Sequence, residues 1–355
     1  MNRKHVITFL LAGLLPLAAW SQEPVANEDG KKIDKAVMET KDYMPEIHGT
    51  LRAKYEYQPE IDAMRWEVRT ARVSFTGNVL PNVAYKAEVD LSDEGNIKML
   101  DAYARLFLAK GFTVTAGQMR VPFTIDAHRS PHQQYFANRS FIAKQVGNVR
   151  DVGMTLAYKF QKVPLSIEAG LYNGTGLTSQ KTAWRHGVNY SAKAEWFPID
   201  KKWNITIGAQ GIKPVDIFMH SFDAGTYVDV KNFHIEAEYV YKTYSKDAFD
   251  DVHAVNVFAN YDIPLKKGPF RKISILARYD YMTDHSDADE DYAGGEAMET
   301  DDYERGRFTG GLTFSLGKAF KADLRLNYEK YFYADHSVPA TSEQDKLVLE
   351  LMVRF

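Results

Sequence analysis

The sequence predicts an all-β fold, a transmembrane antiparallel up-and-down β-barrel of about 16 strands. First, segment after segment alternates apolar and charged side chains, as strands with one apolar and one wet face do. Second, tight turns alternate along the chain with longer polar connections. Third, 21 Tyr, 20 Phe and 5 Trp enrich the apolar faces, many near strand ends. After Gln22, no stretch has the roughly 18 to 20 apolar residues of a spanning helix, which excludes a helical membrane protein.

Composition narrows the alternatives. The chain has 355 residues, 26% of them charged, and no cysteine. A disulfide framework and a thiolate metal site are therefore excluded. A soluble β-sandwich would have to bury the charged faces unpaired, whereas a water-filled lumen can hold them. The acidic residues are unevenly placed, because residues 284–304 are rich in Asp and Glu and contain no Lys or Arg.

The domain organisation follows from the start of the chain. Residues 1–21 predict a signal peptide, with a basic start, an apolar run and small residues before the cut. Residues 22–45 carry no barrel pattern and predict a short periplasmic N-terminal arm. Residues 46–355 predict the outer-membrane β-barrel.

The alternation places every strand. In chain order the predicted strands are 46–58, 65–77, 82–91, 98–109, 112–122, 151–161, 164–173, 188–197, 203–212, 218–230, 232–244, 252–262, 271–281, 305–316, 319–332 and 345–355. In the second strand the apolar positions change from even to odd numbers, which predicts a β-bulge near Arg69 and Thr70. Even-numbered gaps are tight and odd-numbered gaps are expected to be long, as in outer-membrane barrels.

The third long connection, residues 122–150, is a candidate constriction. It carries Arg129, Arg139, Lys144 and Arg150 against one acid, Asp126. A connection of this length usually has a function, and folded inward it would narrow the lumen. The alternative is an external, solvated loop. Because the strands turn roughly equal numbers of bases and acids inward, ion preference can come only from segregated charge, as in rings at a constriction.

Four segments resemble the phosphate-selective porin O and P family: residues 68–73 (VRTARV), 101–103 (DAY), 117–123 (GQMRVPF) and 171–176 (LYNGTG). The resemblance implies sixteen-stranded trimeric pores with a third loop in the lumen and arginines along the anion path. It also implies that the terminal Phe355 is read by the barrel-insertion machinery. The family often shows two successive arginines before Ala-Arg, but here Thr70 replaces the second arginine. This segment therefore contributes one positive charge fewer to the predicted anion path. The candidate pore or anion-binding residues are Arg69, Arg72, Arg105, Arg120, Arg129, Arg139, Lys144 and Arg150.

The acidic segment offers a second, weaker candidate. Asp287, Asp289 and Asp291 have the spacing that opens a calcium loop, but Tyr292 and Met298 stand where an EF-hand needs Gly and Glu. We interpret these aspartates as a possible divalent-ion loop, with a solvated charge run as the alternative. No other metal site is expected.

The sequence as a whole predicts a bacterial outer-membrane porin for passive diffusion of small hydrophilic solutes, with a mild anion preference and, by resemblance, phosphate among the solutes. No cofactor and no nucleic acid is expected. The expected partners are small anionic solutes, outer-membrane lipid and lipopolysaccharide, the insertion machinery through Phe355, and two further copies in a homotrimer. One alternative is a surface binding or adhesion protein anchored by a barrel. Another is a barrel lipase, for which Ser130 and His132 form the one close pair, but no enzyme motif occurs.

Overall fold

The computed structural model describes residues 44–355 except for 94–95, 148–149, 179, 183, 185–186, 293–297, 299, 301, 318–320, 335–336 and 338–340. The predicted signal peptide and all but the end of the predicted arm lie outside the described residues. Among the described residues, no helix is both long and apolar enough to cross a membrane.

Sixteen antiparallel strands form one closed barrel, in which each strand pairs with its neighbours in the chain and the first pairs with the last. In order they are β1 Glu46–Gln58, β2 Ala63–Leu80, β3 Val83–Asp93, β4 Asn96–Ala109, β5 Phe112–Arg120, β6 Arg150–Lys159, β7 Leu165–Tyr172, β8 Asn189–Ile199, β9 Trp203–Ile212, β10 Met219–Val230, β11 Phe233–Tyr244, β12 Val252–Pro264, β13 Lys272–Met282, β14 Arg305–Ser315, β15 Ala322–Tyr333 and β16 Lys346–Arg354. All sixteen predicted strands are confirmed.

Alternation along each strand separates the inside of the barrel from the outside. In β16 the side chains of Lys346 and Glu350 are buried, while those of Leu347 and Leu351 are exposed. An exposed apolar face is unfavourable in water but suits contact with lipid, and the buried charges then line the interior. The barrel is therefore a membrane fold with a polar inside.

The predicted bulge in β2 is confirmed. Arg52 pairs with Thr70 and the next residue, Ala53, pairs with Val68, so Arg69 is the extra residue. Because a β-bulge restores the inside and outside phase after a slip of one residue, both halves of β2 keep their apolar side outward.

Most, but not all, connections follow the expected pattern. The gaps after β5, β7, β13 and β15 are long. In contrast, only residues 59–62 join β1 to β2, and only residues 94–95 separate β3 from β4. The expectation of long loops at every odd-numbered gap is wrong for these first two. At these two connections the strands are longer than the alternation predicted. At the second, the turn-forming residue Asn96 on β4 pairs with Asp93 on β3.

The third long connection lies inside the barrel, as predicted. Phe123, Thr124 and Ile142 are fully buried, although they belong to a connection rather than to a strand. It contains short helical turns at Asp126–His128, Pro131–Gln133 and Ile142–Val146. Residues 121–147 are called the inner loop below. Elsewhere, single short helical turns occur at Ser245–Asp247 and Thr341–Glu343.

Candidate functional site

The wall of the barrel holds the start of the inner loop by its backbone. The Ser191 hydroxyl donates to the Pro122 carbonyl at 2.8 Å. Glu238 accepts hydrogen bonds from the amides of Ile125 and, at 3.3 Å, of Asp126. Gly225 leaves the space for this approach, since a Cβ there would lie 2.6 Å from Ile125 Cδ1. Strands β8, β10 and β11 therefore fix where the loop enters the lumen.

Arg129 is held in a buried ion pair with the wall. Its Nη1 lies 2.6 Å from Oε1 of Glu236, whose side chain is 0% exposed, and 3.2 Å from Asp126. Its guanidinium also packs over the rings of Tyr135 and Phe258. The sequence suggested Arg129 as a pore residue, but this placement makes it an anchor whose charge is compensated.

Arginines on three other strands hold the middle of the inner loop. Arg278 donates to the Asn138 carbonyl at 3.0 Å and Arg307 donates to the Arg139 carbonyl at 2.6 Å. Arg52 donates to the Ala137 carbonyl. Sequence reasoning missed Arg307 and its neighbour Arg305, although both alternate with Gly306 and Phe308 and could have been assigned to the inside.

The end of the inner loop is tied to the connection between β15 and β16. Lys144 forms an ion pair with Glu343, which also pairs with Arg305 at 2.5 Å. Burial opposes ionisation of Glu343, but Lys144 and then Arg305 outweigh it and keep the pKa of Glu343 below its ordinary value. Lys144 is thus a compensated charge near the end of the loop.

Three further candidates have carboxylate partners. Arg72 lies 2.8 Å from Asp90, and Arg150 lies 2.7 Å from Asp101. Arg69, on the bulge, is exposed and lies 3.8 Å from its nearest carboxylate, Glu67. Because ion pairs cancel most of the field beyond their own length, Arg72 and Arg150 add little net charge to the lumen.

The remaining candidates, Arg105, Arg120 and Arg139, form no ion pair among the described residues. Arg120 Nη1 donates to the carbonyls of Ala127 at 3.0 Å and Arg129 at 2.9 Å. Arg139 donates to the same two carbonyls, at 3.4 and 3.1 Å. Two guanidiniums, one from β5 and one from the inner loop, therefore meet at neutral acceptors. Arg120 and Arg139 are called the paired-arginine site below.

Cavities lie on both sides of the inner loop. One, of about 820 Å³, reaches the short turns and is lined by Arg105, Arg120 and His128. The other, of about 440 Å³, lies toward the long connections and is lined by Lys144, Gly147 and Asp287 among others. Because residues of the inner loop line both cavities, the loop lies between them.

The start of the acidic segment is packed into the mouth of the barrel. His285 is buried and its Nε2 lies 2.9 Å from the Lys242 ammonium, and Ala288 is fully buried. Burial, then Lys242 and Arg305, hold the pKa of His285 well below its ordinary value. The neighbouring aspartates of the possible divalent-ion loop are all exposed: Asp287, Asp289 and Asp291. Within the described part of the chain, no group of three or more His, Asp or Glu side chains is placed to hold a metal ion.

A closed, lipid-facing barrel with a polar lumen, a loop folded across it and a cavity on each side defines an outer-membrane channel of the porin class. The protein is located in the bacterial outer membrane. The family model described as phosphate-selective porin O and P matches residues 47–208, which confirms the resemblance drawn from the sequence motifs.

Comparisons with solved structures agree on the fold. The trimer form of OmpT from Vibrio cholerae is 11% identical, with a TM-score of 0.61 over 88% of this chain and 99% of that one. The anion-selective porin from Comamonas acidovorans is 9% identical, with a TM-score of 0.61 over the same shares. The outer membrane channel DcaP of Acinetobacter baumannii is 13% identical, with a TM-score of 0.59 over 94% and 100%. A search of curated proteins finds no match.

Proposed function

We propose that this channel passes small hydrophilic solutes by diffusion with a mild preference for anions, and that the paired-arginine site sets this preference. One observation carries the proposal: the guanidiniums of Arg120 and Arg139 converge on the same two carbonyls, and neither has a carboxylate partner among the described residues. Carbonyl oxygens satisfy N–H donors without cancelling the charge. Two positive charges are thereby fixed where the inner loop meets β5.

The position of these two charges determines how strongly they act on a passing ion. At physiological ionic strength the screening length is about 8 Å, so charges at the wide mouths act weakly on an ion at the loop. At a distance of about 6 Å, a unit charge changes the energy of a passing ion by roughly 0.3 kcal/mol after screening in water. Since each charge attracts anions and repels cations, two of them shift the anion-to-cation ratio about tenfold.

The comparisons support the same proposal at a coarser level. The matched family is described as phosphate-selective, and one structural neighbour is described as an anion-selective porin. Phosphate is accordingly the first solute to test. The trimer form of another neighbour supports a homotrimer as the assembly. Both the fold and the family match favour a channel over a barrel lipase.

The test is the reversal potential of the purified channel in a planar bilayer with a KCl gradient. The variant Arg120→Gln with Arg139→Gln is expected to lower the anion-to-cation permeability ratio about tenfold. The control is Arg69→Gln with Lys330→Gln, which also removes two positive charges, but at sites outside the inner loop that each have a carboxylate partner. Phosphate in place of chloride then measures the preference between anions.

Each result decides the proposal. A large shift from the paired-arginine variant and a small one from the control support it. Equal shifts from both variants would mean that total charge rather than its position sets selectivity. No shift from the paired-arginine variant would place the conducting path elsewhere, and absence of any conductance in the wild type would refute a channel.

A further inference from the structure

The inner face of β4 carries a positive charge between two aromatic rings. Tyr103, Arg105 and Phe107 occupy alternate positions, and all three line the 820 Å³ cavity. Alternate side chains of a strand share one face and lie about 7 Å apart. The Arg105 guanidinium packs 5.2 Å from the centre of the Tyr103 ring. Tyr103, Arg105 and Phe107 are called the aromatic–arginine row.

Among the described residues, the terminal nitrogens of Arg105 have no hydrogen-bond partner and are open to a ligand. Its Nε donates to the Thr115 hydroxyl at 3.1 Å, which fixes the orientation of the guanidinium. Arg105 forms no ion pair within the described ranges, whereas nearby Lys86 lies 2.6 Å from Asp101 and 3.0 Å from Glu88. The two terminal nitrogens of a guanidinium oriented in this way match the two oxygens of a carboxylate.

The rings give this site a second property that the paired-arginine site lacks. Tyr103 and Phe107 are partly exposed and face the cavity rather than lipid. Covering an aromatic ring with another apolar surface is favourable, and stacked or edge-on ring pairs add to that gain. Chloride or inorganic phosphate cannot cover the rings, whereas an organic anion can.

We propose that the aromatic–arginine row binds small organic anions that carry a single carboxylate next to an apolar or aromatic face. The carboxylate lies on Arg105 and the apolar face covers Tyr103 or Phe107. The inference rests on the proposed function, since the anion reaches the row along the same diffusion path. It adds a substrate class that the charge of the pore does not specify.

The rest of the cavity restricts the ligand further. Its volume of about 820 Å³ falls in the range of roughly 300 to 1,000 Å³ typical of small-molecule sites. Basic and acidic side chains line it in similar numbers, so the cavity as a whole does not select for a ligand with several charges of one sign. Arg120 lines the same cavity, which places the row next to the paired-arginine site on the side of the short turns.

The probe is benzoate, and acetate is its matched control, because the two share a carboxylate and differ by the ring. Each is added in turn to either side of a planar bilayer that holds the wild-type channel in KCl. Benzoate is expected to reduce the chloride current at a concentration at least about threefold lower than acetate does. Leucine at either aromatic position, Tyr103→Leu or Phe107→Leu, is expected to weaken the benzoate block about two- to tenfold.

Two further variants complete the blocking experiment, one at Arg105 and one at Tyr227, an aromatic residue outside the row. Arg105→Gln is expected to weaken the benzoate block about ten- to a hundredfold, as loss of a charged hydrogen-bond partner does. Tyr227→Leu, on β10 of the same cavity, is the control and is expected to leave the block unchanged. Unitary KCl conductance confirms that each variant forms a barrel.

Three outcomes would overturn the inference: equal block by benzoate and acetate, an Arg105→Gln channel that binds benzoate as the wild type does, or equal weakening by Tyr227→Leu and Tyr103→Leu. The proposed function is tested separately, in KCl without organic anions. Equal block by the two acids with a normal selectivity shift in the paired-arginine variant refutes only the binding site. Benzoate block without that shift refutes only the proposed origin of selectivity.

Discussion

Replacing Glu236 with glutamine is expected to release the inner loop from the wall of the barrel. Glu236 is fully buried and is the main partner of Arg129, so the neutral amide leaves a guanidinium with Asp126 as its remaining carboxylate at 3.2 Å. Removal of one member of a buried pair costs about 3 to 5 kcal/mol. Because Asp126 remains, we take the lower end, about 3 kcal/mol, which corresponds to roughly a hundredfold larger population of released loop.

Because the chain contains no cysteine, a single introduced cysteine can be labelled specifically to measure opening of the loop. Ser140 lies in the inner loop, is 0% exposed, and its hydroxyl donates to Asp126 at 2.5 Å. In a Ser140→Cys background, the rate of thiol labelling measures how often the loop opens. Adding Glu236→Gln is expected to speed labelling about a hundredfold. The control is Glu168→Gln, which changes another inward glutamate, on β7, that forms no ion pair in the described part of the chain. Equal labelling rates in the two variants would refute the anchoring role of the buried pair.

Two further predictions concern the end of the inner loop and the seam of the barrel. The lowered pKa of Glu343 means that its pairing with Lys144 contributes stability above the ordinary carboxyl pKa and loses it as the pH falls through the lowered value. Thiol labelling of Ser140→Cys with an acid-tolerant disulfide reagent should therefore be faster in Glu343→Gln at neutral pH, and the difference from the parent should vanish in acid. At the seam, Gly49 and Phe355 exchange two backbone hydrogen bonds, of 2.8 and 3.1 Å, and a Cβ on Gly49 would overlap the Phe355 ring. Gly49→Ala should lower the free energy of unfolding in urea by about 1 to 3 kcal/mol, and adding Phe355→Ala should recover part of it; no recovery would contradict the overlap.

The fold could be predicted from the sequence because its signal is local. Inside and outside follow from a period of two residues, and every strand end lies within three residues of its prediction. The bulge at Arg69 was visible for the same reason, since a change of phase within one strand needs no knowledge of its partners. The extra length of β2 was not visible, because Asn78 and Pro81 indicate a turn, and only the pairing of Asn78 and Leu80 with β3 shows that the strand continues to Leu80.

The candidate site could be predicted only as a set of residues. Alternation and the long connection indicate which arginines are inside, but not which carboxylate each one meets. Arg129 meets Glu236, which lies 107 positions away on a strand across the lumen. Lys144 meets Glu343, 199 positions away. Such pairs depend on the path of the inner loop through the barrel, and no local pattern encodes that path.

The number of arginines in a lumen is therefore a poor guide to its ion preference, whereas the type of acceptor is a better one. An arginine bound to a carboxylate is held in place and compensated, as Arg129 and Arg150 are. An arginine bound to carbonyls is also held in place, but without a compensating negative charge, as Arg120 and Arg139 are. The proposed function requires both a fixed loop and attraction of anions, and so it needs both kinds of contact. The inner loop provides them by offering its backbone to some arginines, while the wall offers carboxylates to others. A substitution that introduces a carboxylate next to Arg120 is therefore expected to abolish the proposed anion preference without changing the fold.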